Sequence, residues 1–322
     1  MTLEENGNII AQNFEKFGIP VNYVRGVENT LGCVFYFNLL DITQFNEKKI
    51  SDIVDKISII SHTQMNFSRS DEAHFKIDVF YKKNITLPLD TIIESNAIVI
   101  GKDLDDKKLR INFYETPHLL IAGTTGSGKS VLLKTLFCSI YNFYHAPNNP
   151  RLKNAQYIII DPKGNEFNCF RGVVDNYIDE TNKAIRSLEQ LEEIMDNRYR
   201  HLEMIKTPIF IFIDELADLM LTSRFEVEKS LIRIAQKGRA CDMHLIIATQ
   251  RPSCDIVTGL IKANFPARLC LKTAGVRDSV VVMDRKCCEE LNIGEAYYKN
   301  GLTLKRIKVA YPSEDLIRRI VR

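Results

Sequence analysis

LLIAGTTGSGKS, residues 119–130, decides how the rest of this chain is read. An apolar strand runs straight into a glycine-rich loop, and the loop fits G-x-x-x-x-G-K-[ST] at Gly123, Gly128, Lys129 and Ser130. Such a loop must wrap phosphates closely with its backbone N–H groups turned inward, and glycine keeps Cβ atoms out of the way. The reading assigns Gly123, Thr124, Thr125, Gly126, Ser127, Gly128, Lys129, Ser130 and Val131 to nucleotide binding. Lys129 is expected to neutralise the β- and γ-phosphates and Ser130 to ligate Mg²⁺. The helix that starts here, KSVLLKTLFCSIYNFY, points its positive end at the same anion.

A second stretch supplies the other half of the chemistry. PIFIFIDELADLM, residues 208–220, is an apolar strand ending in Asp214 and Glu215, the layout of a Walker B strand. Asp214 is expected to hold Mg²⁺ through its water shell and Glu215 to polarise an attacking water. Two such strands in the right order set aside a chance Gly/Ser turn, and the implied cofactors are ATP and Mg²⁺.

Composition bounds the rest. With 322 residues, 45% of them hydrophobic, the chain can bury one large core and a smaller one. No apolar run approaches the roughly 20 residues that span a bilayer, and the start MTLEENGNII lacks a signal peptide's basic end, so a cytoplasmic protein is expected. The eight cysteines show no CxxC spacing with partnering histidines and read as free thiols, including the adjacent Cys287 and Cys288. Net charge is only +2, but residues 1–117 hold 13 Lys/Arg against 17 Asp/Glu, and the remainder 30 against 24. The positive side lies on the nucleotide-binding part, where it suits a polyanion.

Residues 1–115 read as a small α+β domain. TLGCVFYFNLL at 30–40 and FKIDVFY at 75–81 are strand-like, and Ile50, Ile53, Val54, Ile57 and Ile60 fall at the spacing of one helical face. Ile98–Phe113 reads as a hairpin whose turn carries the charge. From residue 116 to 322 strands alternate with helices, which predicts a P-loop NTPase with a mainly parallel sheet covered on both faces. The expected elements are a strand ending at Asp161, a helix over Asn182–Ile205 burying Ile185, Leu188, Leu191, Met195 and Leu202, a helix over Val227–Ala240, a strand over His244–Gln250 and a final strand from Ala267.

PHLLIAGTTGSGKS, IIIDPKG, IFIDELADLM and QKGRACDMHLIIATQRPSCDIVTGLIKANFPARL together resemble the motor domain of the FtsK/SpoIIIE DNA translocases, within the HerA/FtsK group of ring ATPases. The resemblance implies a RecA-like α/β fold, with residues 30–115 similar to the family's small α domain. It implies a hexameric ring around double-stranded DNA that turns ATP hydrolysis into movement. On the matching positions, Arg239 is expected to act as an arginine finger toward a neighbouring subunit's γ-phosphate, Gln250 to sense that phosphate, and Arg251, Lys262 and Arg277 to contact DNA phosphates. Nothing resembles the septal translocases' membrane-spanning N-terminus or C-terminal winged helix, so a compact translocase of a plasmid, integrative element or phage is expected. Two alternatives share the motifs: a conjugative coupling protein that delivers relaxase-bound DNA to a membrane channel, and a type VII-like protein-secretion ATPase.

Overall fold

In a computed structural model of the protein, residues 2–81, 85–146, 155–164, 166–202 and 207–322 are described. They divide into two compact units. One comprises Met1–Ile85 with Asp103–Lys107, and the other Thr86–Lys102 with Lys108–Arg322.

In the first unit, helix α1 (Leu3–Lys16) starts at a capping box, in which Thr2 and Glu5 satisfy each other's backbone N–H groups. Strands β1 (Val21–Glu28) and β2 (Gly32–Leu39), helix α2 (Glu47–Ile60), and strands β3 (Met65–Arg69) and β4 (Phe75–Phe80) follow. The strands form an antiparallel sheet in the order β1-β2-β4-β3. Phe14 of α1 packs on Phe37 and Phe75, and α2 buries Ile50, Ile53, Val54 and Ile57. Ile60 departs from the expected stripe and is 61% exposed. At about 100° per residue it falls on the stripe's rim, at the last residue of the helix.

The second unit holds β5 (Leu87–Pro88), β6 (Ile98–Lys102), β7 (Lys108–Ile111) and β8 (Leu119–Ala122), followed by α3 (Lys129–Tyr144), β9 (Gln156–Ile160), β10 (Asn176–Ile178) and α4 (Thr181–Arg200). Then come β11 (Ile209–Ile213), α5 (Leu216–Lys237), β12 (Met243–Thr249), α6 (Gly259–Asn264), β13 (Ala267–Leu271), α7 (Val276–Met283), β14 (Glu295–Asn300), β15 (Thr303–Tyr311) and α8 (Glu314–Val321). Among the described residues the sheet runs β10-β9-β11-β12-β8-β13-β14-β15-β6-β7, with β5 beside β15. The strands from β10 to β13 are parallel, and those from β14 to β7 are antiparallel to their neighbours. Central β11, IFIFI, is buried at every residue because both of its faces are covered. One face packs on α3 and α8, the other on α4, α5, α6 and α7.

Four expectations are corrected. The hairpin over Ile98–Phe113 forms, but its strands extend the large sheet through β15. Helix α4 ends at Arg200, its cap being His201 with ψ 53, so Leu202 lies outside the helix and is exposed; Ile205 lies outside the described residues. Helix α5 begins at Leu216, directly after Glu215, and its only sequence-visible half starts after a break at Ser223 (φ −151°, ψ 77°). The strand from Ala267 is not the last, since β14 and β15 follow and their alternation is hidden among lysines and tyrosines.

His118, at the entry to β8, carries a pH signature of this packing. Its Nδ1 accepts the Leu245 amide at 3.1 Å, which requires that nitrogen to be unprotonated. Burial, and then the neighbouring His244, pushes its pKa down to about 3. The unfolded imidazole titrates near 6.5, so this contribution is complete above about pH 6.5 and declines as pH falls toward about 3. Urea unfolding between pH 7.5 and 5 is expected to show a loss approaching ~1.4 kcal/mol per pH unit from this group. His118→Asn keeps an acceptor but removes the titration, so an unchanged slope in that variant would refute the assignment.

Candidate active site

Parallel strands place their C-terminal ends on one edge of the sheet, and the loops that follow β8, β9, β11, β12 and β13 meet there. The phosphate-binding loop is pinned from both sides, because the Gly123 amide donates to Thr249 O (3.3 Å) and the Thr124 amide to Lys272 O (2.9 Å). Gly128 has a φ of 100°, a conformation in which a side chain is strained, and it is the cap from which α3 starts. A Cβ at Gly123 would sit 2.6 Å from Ser127 Oγ and 2.9 Å from Leu271 Cβ. Ser127 Oγ is buried without a hydrogen-bond partner among the described residues. A narrow, N–H-lined cradle at a helix N-terminus is the form that holds a polyphosphate.

Lys129 is 3% exposed and reaches back across the sheet edge. Its Nζ donates to the backbone carbonyl of Asp214 at 2.7 Å and to Asp214 Oδ1 at 2.8 Å. Burial raises the Asp214 pKa, and Lys129 acts against that rise. Ser130 is half-buried in the first turn of α3, beside Lys129. No described group of three or more His, Cys, Asp or Glu forms a metal cage. Ser130 and Asp214 are hard oxygen donors of the kind Mg²⁺ takes when a nucleotide supplies further oxygens.

Glu215 caps α5 and is clamped by the end of β12. Its Oε1 accepts from Thr249 Oγ1 at 2.7 Å, and its Oε2 accepts the Gln250 amide at 3.0 Å. The Thr125 hydroxyl donates to Gln250 Oε1 at 2.8 Å, so Gln250 links the phosphate loop to Glu215. Thr249 had no sequence signal beyond following an apolar strand. Asp161 did have one, since it ends β9 as Asp214 ends β11. It is fully buried and accepts the amides of Gly164, Glu166 and Phe167 together with the Tyr177 hydroxyl, which shapes the loop beside Asp214.

Other residues singled out in the sequence lie elsewhere. Arg239 follows the C-terminus of α5, is exposed, and has no ion-pair partner among the described residues. Glu215 touches Thr249 at the C-terminal end of β12, whereas Gly238, next to Arg239, accepts the Met243 amide at the start of that seven-residue strand, a separation of roughly 20 Å at 3.3 Å per residue. Arg251 is exposed just after Gln250, and Arg277 is exposed on the first turn of α7. Lys262 on α6 sits at the other edge of the sheet and pairs with Asp284 at 3.0 Å.

The Lys129–Asp214 contact makes a measurable demand. Lys129→Met leaves a buried carboxylate unpaired, which is expected to cost about 3–5 kcal/mol in urea unfolding. Adding Asp214→Asn should recover most of that loss, and a double-mutant cycle without coupling would show that the pair is not formed.

Comparisons with known proteins identify the family of the chain. The model of the FtsK/SpoIIIE family matches residues 88–208 and 201–254. DNA translocase FtsK of Leptospira interrogans is 38% identical over 254 residues, covering 70% of this chain and 26% of that protein. DNA translocase FtsK of Treponema pallidum is 30% identical, covering 97% of this chain and 43% of that protein. This chain thus spans less than half the length of these relatives. Among solved structures, the pCW3 conjugation coupling protein TcpA, in a monomer form with ATPγS, superposes with a TM-score of 0.65 at 20% identity, covering 98% of this chain and 99% of that one. The cytoplasmic domain of the type VII secretion ATPase EccC of Thermomonospora curvata superposes with a TM-score of 0.60 at 25% identity, covering 70% and 30%. Since the family model spans more than half of its residues, the chain belongs to the FtsK/SpoIIIE family.

Proposed function

We propose that this chain is an ATP-hydrolysing motor that moves double-stranded DNA and works as a ring, a hexamer in the simplest closure. The observation that carries the reading is the joining of Lys129, Asp214, Glu215 and Gln250 at one strand edge in a member of this family. Lys129 leaves Asp214 for the β- and γ-phosphates when ATP enters, and the carboxylate it releases, with the Ser130 hydroxyl, would hold Mg²⁺. Bound there, the ion would supply charge neutralisation for the transferring phosphoryl group. Glu215, already fixed by Thr249 and the Gln250 amide, orients the attacking water. Gln250 reports the γ-phosphate through its contact with Thr125.

Arg239 acts in a neighbouring subunit's site. The placement of Arg239 supports this, because it stands beside the start of β12 while Glu215 is held at that strand's other end, out of reach of its own nucleotide. Arg251, Lys262 and Arg277 contact DNA phosphates, which suits a motor that must pass any sequence. No described helix is long and apolar enough to cross a membrane. A cytoplasmic site of action, with a relaxase or membrane channel as a further partner, completes the proposal.

The direct test is ATP hydrolysis with and without long duplex DNA across a salt series. Strong stimulation that fades with salt is expected, and Lys262→Ala should reduce the salt slope by about 1. Hydrolysis indifferent to DNA would sink the translocase and favour protein cargo, as in a secretion ATPase. For Arg239, alanine substitution is expected to lower turnover by about 10³-fold or more while ATP binding persists. Mixing Arg239→Ala subunits with Glu215→Gln subunits should restore activity, because each supplies what its neighbour lacks; a mixture that stays inactive rules out action across the interface.

A further inference from the structure

Glu215, Thr249 and Gln250 all lie on the β11–β12 flank of the phosphate loop, so the terminal phosphate points that way. The nucleoside must then leave on the opposite flank, past β13 toward β14. The turn that enters β14 stands there in backbone contact with the loop. The Gly294 amide donates to Ser127 O at 3.0 Å, and a Cβ on Gly128 would lie 3.3 Å from Gly294 Cα. Gly294 has a φ of 72°, so the turn needs glycine at that point. Its neighbour Ile293 is 55% exposed, a branched apolar side chain held in water one residue from the phosphate loop.

This turn is fixed with unusual care for a surface connection. The Lys308 ammonium donates to Ile293 O at 2.7 Å and is itself only 6% exposed, and the Val309 amide donates to Gly294 O at 2.8 Å. Burial lowers the Lys308 pKa, with Glu295 acting the other way. The Glu295 carboxylate accepts the Asn292 amide at 3.1 Å and Asn292 Nδ2 at 2.9 Å, and pairs with the buried Arg306 at 2.6 Å. A buried ammonium used to hold a single carbonyl is costly to desolvate, which argues that the position of Ile293 matters. The bland alternative is a turn that merely braces the phosphate loop. That role explains Gly294 and Lys308, but it leaves an exposed isoleucine without a use.

We infer that Ile293 is the platform for the base and ribose of the bound nucleotide, and that the turn around it forms the nucleoside-side wall of the site. The inference rests on the ATP-binding reading, which is tested separately by the binding of inorganic tripolyphosphate to the unaltered protein. Calorimetric titration of Ile293→Ser is expected to show about tenfold weaker ATP binding, the effect of losing one buried apolar side chain against the base. Tripolyphosphate binding should be unchanged, and Ile293→Leu should bind ATP as the unaltered protein does. Equal weakening of ATP and tripolyphosphate would mean that the turn acts only on the phosphate loop, and unchanged ATP binding would mean that the base lies elsewhere; either result overturns the inference. Because Ile293 is exposed, both variants are expected to fold.

Discussion

The structure depends on a contact between strands that are not neighbours. β8 and β11 are separated by β12, yet Lys129 after the first and Asp214 after the second meet at 2.8 Å. That meeting requires three strands to be parallel, in register at their C-terminal ends and closely packed, because the lysine is only four carbons long. Everything the site needs follows from the same alignment. Glu215 comes next after Asp214, Thr249 and Gln250 finish the strand between, and the phosphate loop closes the row. The pair also neutralises two charges that would otherwise be buried alone.

Helix α5 gives this arrangement its direction. It starts on Glu215 at the catalytic edge and ends before Arg239 at the other, so it spans the depth of the sheet. The tight exit from the helix depends on Gly238, where a Cβ would lie 2.5 Å from Ile234 O and 2.8 Å from Met243 O. A bulkier residue would push Arg239 away from the start of β12. The chain therefore presents its candidate phosphate site on one edge and, on the opposite one, a guanidinium without an ion-pair partner among the described residues. On the proposed reading, two such surfaces complement each other in a head-to-tail contact and not in a two-fold one, and a head-to-tail contact gives a ring where its rotation closes.

The parts legible in sequence were those whose chemistry is local. A glycine loop between an apolar strand and a helix, or an apolar run ending in Asp214 and Glu215, carries its meaning in adjacent residues. Strands β14 and β15 were not legible, because they pair antiparallel at the sheet's far side and mix Glu295, Arg306 and Lys308 into buried positions that look like surface. The same buried charges hid the Gly294 turn. Helix α1 and strands β1 and β3 escaped for a related reason, since their burial alternates weakly and half of each faces water. Thr249 shows the general case: its role exists only because β11 and β12 lie side by side, and no spacing in the chain encodes that neighbour.

The candidate DNA contacts are constrained by where the same topology puts them. Arg251 leaves the catalytic edge immediately after Gln250, whereas Lys262 stands at the opposite edge, so one phosphate cannot serve both. Lys262 shares Asp284 with Arg268 (2.7 Å) and Lys299 (2.7 Å), and these three cations hold that carboxyl well below its usual range against the effect of burial. Arg268 is committed to structure, since its guanidinium also donates to the carbonyls of Lys262, Phe265 and Val282. Lys262 and Lys299 keep part of their surface in water and carry the cluster's excess positive charge outward. A polyanion that drew Lys262 away would thus leave Asp284 still neutralised by two partners, and the lysine can exchange one anion for another without stranding a charge. Arg251, whose amide is tied to Thr249 beside Glu215, has the complementary position: a load on its side chain acts on the segment that holds the Glu215 carboxylate. On the proposed reading, Lys262 is thus a contact remote from the nucleotide and Arg251 one beside it, joined by the residues 251–258 that run between them.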